Sequence, residues 1–140
     1  MTYQGGHRPI KDADPLHALS SCGTFPKDVY KTIGQYAFGV HGSRASEVVL
    51  EYRGQPDAPV LIFRSVPPGV TRINHGDWVT LSLGYALQHG IERGDDDSDW
   101  PVISAWVKAS DVRSGGNDIM EWGYWGPDID SWRTFGGDRT

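Results

Sequence analysis

The chain is short of sulfur, of long apolar runs and of clustered positive charge, and each shortage removes a class of protein. Cys22 is the single cysteine, which excludes an intrachain disulfide framework and a cysteine-rich zinc centre, and no motif surrounds it. No stretch approaches the roughly 18 apolar residues of a membrane span, and residues 1–11 are polar and contain glycine, unlike a signal peptide. The expectation is a soluble, cytoplasmic protein with no membrane partner. Lys and Arg number 13 against 18 Asp and Glu, for a formal net charge of −5. Residues 1–64 carry 7 basic and 6 acidic side chains and residues 65–140 carry 6 and 12, with no basic cluster in either part. That rules out coating nucleic acid through its phosphates, while leaving a nucleic acid open as a substrate. His41, His75 and His89 show no metal-ligand spacing, and residues 95–99 lack the glycine and closing glutamate of a calcium loop. No metal is expected.

What is present is glycine and aromatic rings. The 140 residues suit one domain, and their hydrophobic fraction of 38% looks thin for its core. The 18 Gly, 6 Trp, 6 Tyr and 4 Phe offset this, because rings bury much area and glycine serves turns between short strands. Residues 1–13 lack periodicity and read as an arm. Asp14 followed by Pro15 offers a cap and a first helical residue for a short helix over residues 14–19. Ala45, Val48, Val49 and Tyr52 then fall on one helical face behind Ser43 as N-cap, closed by Gly54 and Pro56. Residues 60–66 form a nearly continuous apolar run of strand length, predicting a strand covered on both faces. Further strands are predicted over 77–82, 101–107 and 119–125, with a helix over 83–89 that Ser82 caps and Gly90 ends. Trp78, Trp106 and Trp122 lie in these strands and are assigned to the core. The order gives an α+β domain over residues 14–126, with 127–140 as a polar tail.

Three features on separate segments could carry chemistry. Arg64 ends the apolar run, where a buried guanidinium needs a carboxylate or a phosphate; a structural salt bridge is the plainer alternative. Thr80 and Ser82 share a strand face, and Tyr85 follows on the next turn. Two hydroxyls beside a ring suit a flat carboxamide-bearing ligand; β-propensity, capping and packing account for them equally. Glu121 is a carboxylate among apolar and aromatic neighbours, where burial demands a partner, such as Arg64, or the side chain faces solvent.

The ordered segments Phe63-Arg64-Ser65-Val66-Pro67, Gly76-Asp77-Trp78-Val79-Thr80-Leu81-Ser82-Leu83-Gly84-Tyr85-Ala86 and Glu121-Trp122-Gly123-Tyr124 resemble the Arg–Ser–Glu class of ADP-ribosyltransferases, notably small phage and bacterial domains. The resemblance covers residues 60–125, and more weakly 15–39. It implies a split β-sandwich with N-terminal helices, and NAD as substrate held by Arg64, Ser65, Thr80, Ser82 and Tyr85. Tyr85, with Tyr36 as a further candidate, would stack on the flat ring. Glu121 and Arg64 would be catalytic, Glu121 binding the ribose 2′-hydroxyl and stabilising positive charge as the nicotinamide–ribose bond breaks. ADP-ribose would pass to a macromolecular acceptor, a protein or a nucleic acid, such as a host or defence factor. Arginine-modifying members carry a second carboxylate two residues before the catalytic glutamate; this chain has Ile119 there, and Asp118 lies one residue further back. Arginine is therefore disfavoured as acceptor. A non-catalytic module binding NAD, ADP-ribose or a protein, and an NAD glycohydrolase, are the competing readings.

Overall fold

The computed structural model describes residues 13–21, 25–37, 39–93, 99–116 and 118–136. Its organising strand is β1 (Pro59–Ser65), whose alternating side chains are apolar on both faces. Val60 and Ile62 join a large buried cluster with Leu16, Leu19, Val29 and Ile33. Ala45, Val48 and Val49 of helix α1 (Gly42–Tyr52) belong to the same cluster. Leu61 and Phe63 turn the other way, toward Leu83, Ala86 and Leu87 of helix α2 (Leu83–Arg93), and toward Phe135. The two-sided cover expected for this strand is what the chain adopts.

Five further pairings complete the domain. Strand β4 (Val102–Lys108) runs antiparallel to β1, from Pro59 opposite Lys108 to Ser65 opposite Val102. Its other edge pairs with β8 (Arg133–Phe135). A second antiparallel sheet has the order β3 (Asp77–Val79), β6 (Trp122–Tyr124), β5 (Val112–Ser114). Strand β2 (Arg72–Ile73) pairs with β7 (Ile129–Asp130). The two three-stranded sheets meet where Phe63 and Thr80 exchange backbone hydrogen bonds of 2.9 and 2.8 Å. The result is a mixed α+β arrangement of antiparallel sheets with helices packed on β1.

Several local expectations are corrected. Residues 14–19 form turns rather than a helix, since Asp14 is buried and its carboxylate accepts the N–H of Phe25 at 2.9 Å instead of capping its own turn. Six residues are also too few to nucleate a helix alone. The same stretch lies along β5 as a strap: Leu16 N–H donates to Val112 O and Ser114 N–H to Asp14 O, both at 2.8 Å, with Pro15 bridging Arg113. Helix α1 starts at Gly42 behind His41, without a side-chain cap, so Ser43 lies inside it. Residues 29–36, unassigned from sequence, form a 3-10 helix. The supposed tail contains β7 and β8, whose two and three residues are too few to show a period. The regular part of the strand expected over 77–82 ends at Val79, because Thr80 turns to bridge β1. That expected over 119–125 is regular only at 122–124. Residues 1–12 of the arm, Cys22 and residues 94–98 of the acidic loop lie outside the described residues.

The tryptophans divide by strand parity. Trp122 is completely buried, and its indole N–H donates to Ile119 O at 2.9 Å. Trp78 is half-buried, its ring lying so close to Gly115 that a Cβ there would meet it at 2.1 Å. Trp106 corrects the core assignment: it is exposed beside the equally exposed Trp132, 6.0 Å between rings. It lies on the sheet face opposite Ile103, Ala105 and Val107, which belong to the core.

Tyr124 gives this core a titratable member. Its ring is buried and its hydroxyl donates to Pro127 O at 2.5 Å. Burial, with Asp111 and then Asp128 adding negative charge, pushes the phenol up to about 12. The folded chain therefore holds this proton more tightly than the unfolded chain does. The stabilisation is complete below pH 10, near the ordinary tyrosine value, and is lost as the pH rises toward 12. Thermal melts from pH 8 to 12 should show this loss, and Tyr124→Phe should reduce its steepness; an unchanged profile in the variant would remove Tyr124 as its source.

Candidate functional site

The site is built outward from Arg64. Its guanidinium is 8% exposed; Nη1 donates to Trp78 O at 2.6 Å and Nε lies 3.6 Å from the Asp77 carboxylate, itself 2% exposed. Asp77 also accepts the N–H of Asn74 at 2.8 Å. The planar fork can serve a carboxylate and a carbonyl together, so Arg64 clamps β3 against β1. Its ion-pair partner is Asp77 rather than Glu121, and the guanidinium lies buried within the structure. Ser65, next in β1, places its hydroxyl in a buried position facing α2, where a Cβ on Gly90 would come within 3.3 Å.

The clamp fixes the turn that starts α2. Thr80 Oγ1 accepts the N–H of Ser82 at 3.3 Å, and Ser82 Oγ accepts the N–H of Tyr85 at 3.2 Å. Ser82 is thus the N-cap that its sequence position predicts, satisfying an otherwise orphaned donor. Both hydroxyl residues are buried. Gly84 lies beside them under the His41 ring: a Cβ there would lie 2.5 Å from its Nδ1, so any larger residue would have to displace that ring from this first turn.

Helix α2 then presents Tyr85 and His89, four residues apart and so on one face. Tyr85 Oη donates to Glu121 Oε1 at 3.0 Å, although 36 residues separate them in the chain. The His89 ring is tilted against that of Tyr85, 4.7 Å between centres, and its Nε2 lies 3.7 Å from the same carboxylate oxygen. Tyr85 is raised well above the ordinary phenol range by burial, then by the charge of Glu121 and the hydrogen bond to it. It remains a protonated donor at all ordinary pH.

Glu121 is placed by its neighbours. Ile119 and Met120 are fully buried before it and Trp122 after it. Ile119 N–H donates to Tyr36 O, and Gly115 N–H to Glu121 O, both at 3.0 Å. These bonds pin the backbone and leave the Glu121 side chain, 44% exposed, directed at α2. It sits just before β6 rather than within a strand. Asp118 Oδ1 accepts the N–H of Met120 at 2.8 Å, so this carboxylate is engaged locally. Tyr36 packs edge-on against Phe25 at 5.1 Å and adjoins the core cluster.

The structure therefore joins Ser82, Tyr85 and Glu121 in one constellation, with Thr80 behind it and Arg64 as its support. His89 joins this constellation and the His41 ring covers the first turn of α2, places that the absence of metal-ligand spacing among the histidines did not indicate. The spacing of His89 from Tyr85 was the available signal. The arrangement offers a half-exposed carboxylate held by a neutral phenol, with an imidazole beside it. Among the described residues no group of three or more His, Cys, Asp or Glu is placed to hold a metal ion, and no helix is long and apolar enough to cross a membrane. No family model, curated protein or solved structure matches the chain.

The clamp and the cap differ in their energetic weight. Arg64→Met removes the cation beside the buried Asp77 carboxylate and should cost about 3–5 kcal/mol, whereas Ser82→Ala removes one cap and should cost about 1 kcal/mol. Urea denaturation of both variants checks the ranking. An Arg64→Met protein as stable as the parent would show that the pair does not hold the sheets together.

Proposed function

We propose that the chain is an NAD-dependent mono-ADP-ribosyltransferase that cleaves the nicotinamide–ribose bond and passes ADP-ribose to a macromolecular acceptor, a host or defence factor among the candidates. One observation carries this reading: the helix capped by Ser82 delivers Tyr85 to within 3.0 Å of Glu121, uniting residues from distant segments around an accessible carboxylate. The two antiparallel sheets, joined by the bridge from Phe63 to Thr80, suit the split sandwich of that family.

The residues divide the work as follows. Glu121 accepts a hydrogen bond from the ribose 2′-hydroxyl and stabilises positive charge developing at the adjacent carbon. Tyr85 fixes the carboxylate by hydrogen bonding, a positioning role in place of ring stacking. Ser82 retains its O–H as a donor toward a carboxamide, since capping uses only a lone pair. Arg64 holds Trp78, and through it the Thr80–Ser82 turn, instead of reaching a phosphate. NAD supplies a cationic leaving group, so bond breaking needs no general acid.

A second reading, NAD hydrolysis, draws on a specific feature. Ile119 occupies the place of a second carboxylate and is fully buried, while Asp118 is tied to Met120 N–H. Water is then a competent acceptor.

Incubating the purified protein with NAD should release nicotinamide, with label from the adenylate half appearing on a macromolecule of a cell lysate. Glu121→Gln should lower release about 100-fold or more while leaving the melting temperature nearly unchanged, because the side chain is half-exposed. Release by Glu121→Gln at the parental rate would overturn the assigned role. Calorimetric binding of NAD without any release would instead identify a binding module.

A further inference from the structure

Glycosyl transfer to a proton-bearing acceptor leaves one proton to be removed, and Glu121 is poorly placed to take it. Its Oε1 already accepts from Tyr85, and on the transferase reading the carboxylate also holds the ribose hydroxyl. The acidic groups around it offer little help. Asp118 is bonded to Met120 N–H, and Glu92 receives Gln88 on the exposed side of α2. His89 differs. Its ring is steadied against Tyr85, its side chain is 32% exposed, and Nε2 lies 3.7 Å from the Glu121 oxygen. On the transferase reading, a nucleophile approaching the ribose carbon beside Glu121 would pass within reach of that nitrogen.

We propose that His89 is the base that receives the acceptor's proton, and that the acceptor is a hydroxyl, of water or of an alcohol side chain. This inference rests on the transferase reading above. The choice of acceptor follows from the need for a base and from the residue at position 119. A carboxylate acceptor brings no proton and needs no base, and an arginine acceptor goes with a second carboxylate where this chain has the fully buried Ile119. A hydroxyl releases its proton only as the new bond forms, and a neutral imidazole suffices for that. In the step, the bond from C1′ to the nicotinamide nitrogen breaks and its electron pair leaves with the now neutral nicotinamide. An oxygen lone pair forms the C1′–O bond, the hydroxyl proton passes to Nε2, and the resulting imidazolium returns it to water.

The test uses the full chain with NAD in buffer containing methanol, so that water and methanol are the acceptors. Two quantities are followed: net nicotinamide release into hydrolysis and methanolysis products, and exchange of labelled nicotinamide into NAD, which reports cleavage without capture. His89→Gln should lower net release tenfold or more while exchange persists, and added imidazole should restore net release to His89→Ala. Rescue separates a proton-transfer role from packing against Tyr85, which free imidazole does not replace. Net release unchanged in both variants, or exchange and release falling together without rescue, overturns the proposal. If the wild-type chain shows neither exchange nor release, the transferase reading fails first, and this inference falls with it.

Discussion

The buried contact of Arg64 with Asp77 and the Trp78 carbonyl is the constraint on which the rest of the structure depends. A guanidinium removed from water is costly without an opposite charge and an acceptor beside it, and here both, the Asp77 carboxylate and the Trp78 carbonyl, come from β3. The sheets are thereby locked in one relative register, reinforced by the reciprocal backbone bonds of Phe63 and Thr80. That register sets where the chain leaves β3, hence where Ser82 stands, hence the start and direction of α2. Tyr85 and His89 inherit their positions from this sequence of fixed points. A buried strand residue thus controls the geometry of a helix face.

The carboxylate at the end of this chain of dependence is held with economy. Tyr85 donates to it, and that phenol stays protonated because burial and the neighbouring negative charge both oppose its ionisation. The contact orients Glu121 without neutralising it. On the proposed reading, a lysine or arginine in the same place would orient it equally well but would cancel the charge meant for an electron-poor carbon. The half-exposed location fits this logic, since full burial would favour the protonated acid.

Much of the architecture was legible in the residues themselves. The apolar run at 60–66, the helical face of Ala45, Val48 and Val49, and Ser82 ahead of Leu83 each carry a local physical signature, and each appears where that signature places it. What escaped was everything settled by pairing rather than by period. Strands β2, β7 and β8 are two or three residues long, too short for alternation, and exist because a partner edge was available. Asp14 has the composition of a helix cap yet serves the N–H of Phe25, a choice made by tertiary contact. Within the candidate site, Tyr85 and Glu121 were separately legible, but their hydrogen bond was not, and neither was His89 as their neighbour. Trp106 shows the limit in another form, because strand membership alone does not say which face a helix will cover.

The strap over residues 14–16 has a consequence for how the molecule meets copies of itself. An edge strand normally offers a row of free donors and acceptors on which another chain can grow a sheet. Along β5 that row is occupied by Leu16 N–H and Asp14 O, and the residue between them is a proline. Proline has no N–H to extend toward a newcomer. The strap therefore acts as a terminator: it completes the second sheet and interrupts the pattern by which that sheet could template its own polymer.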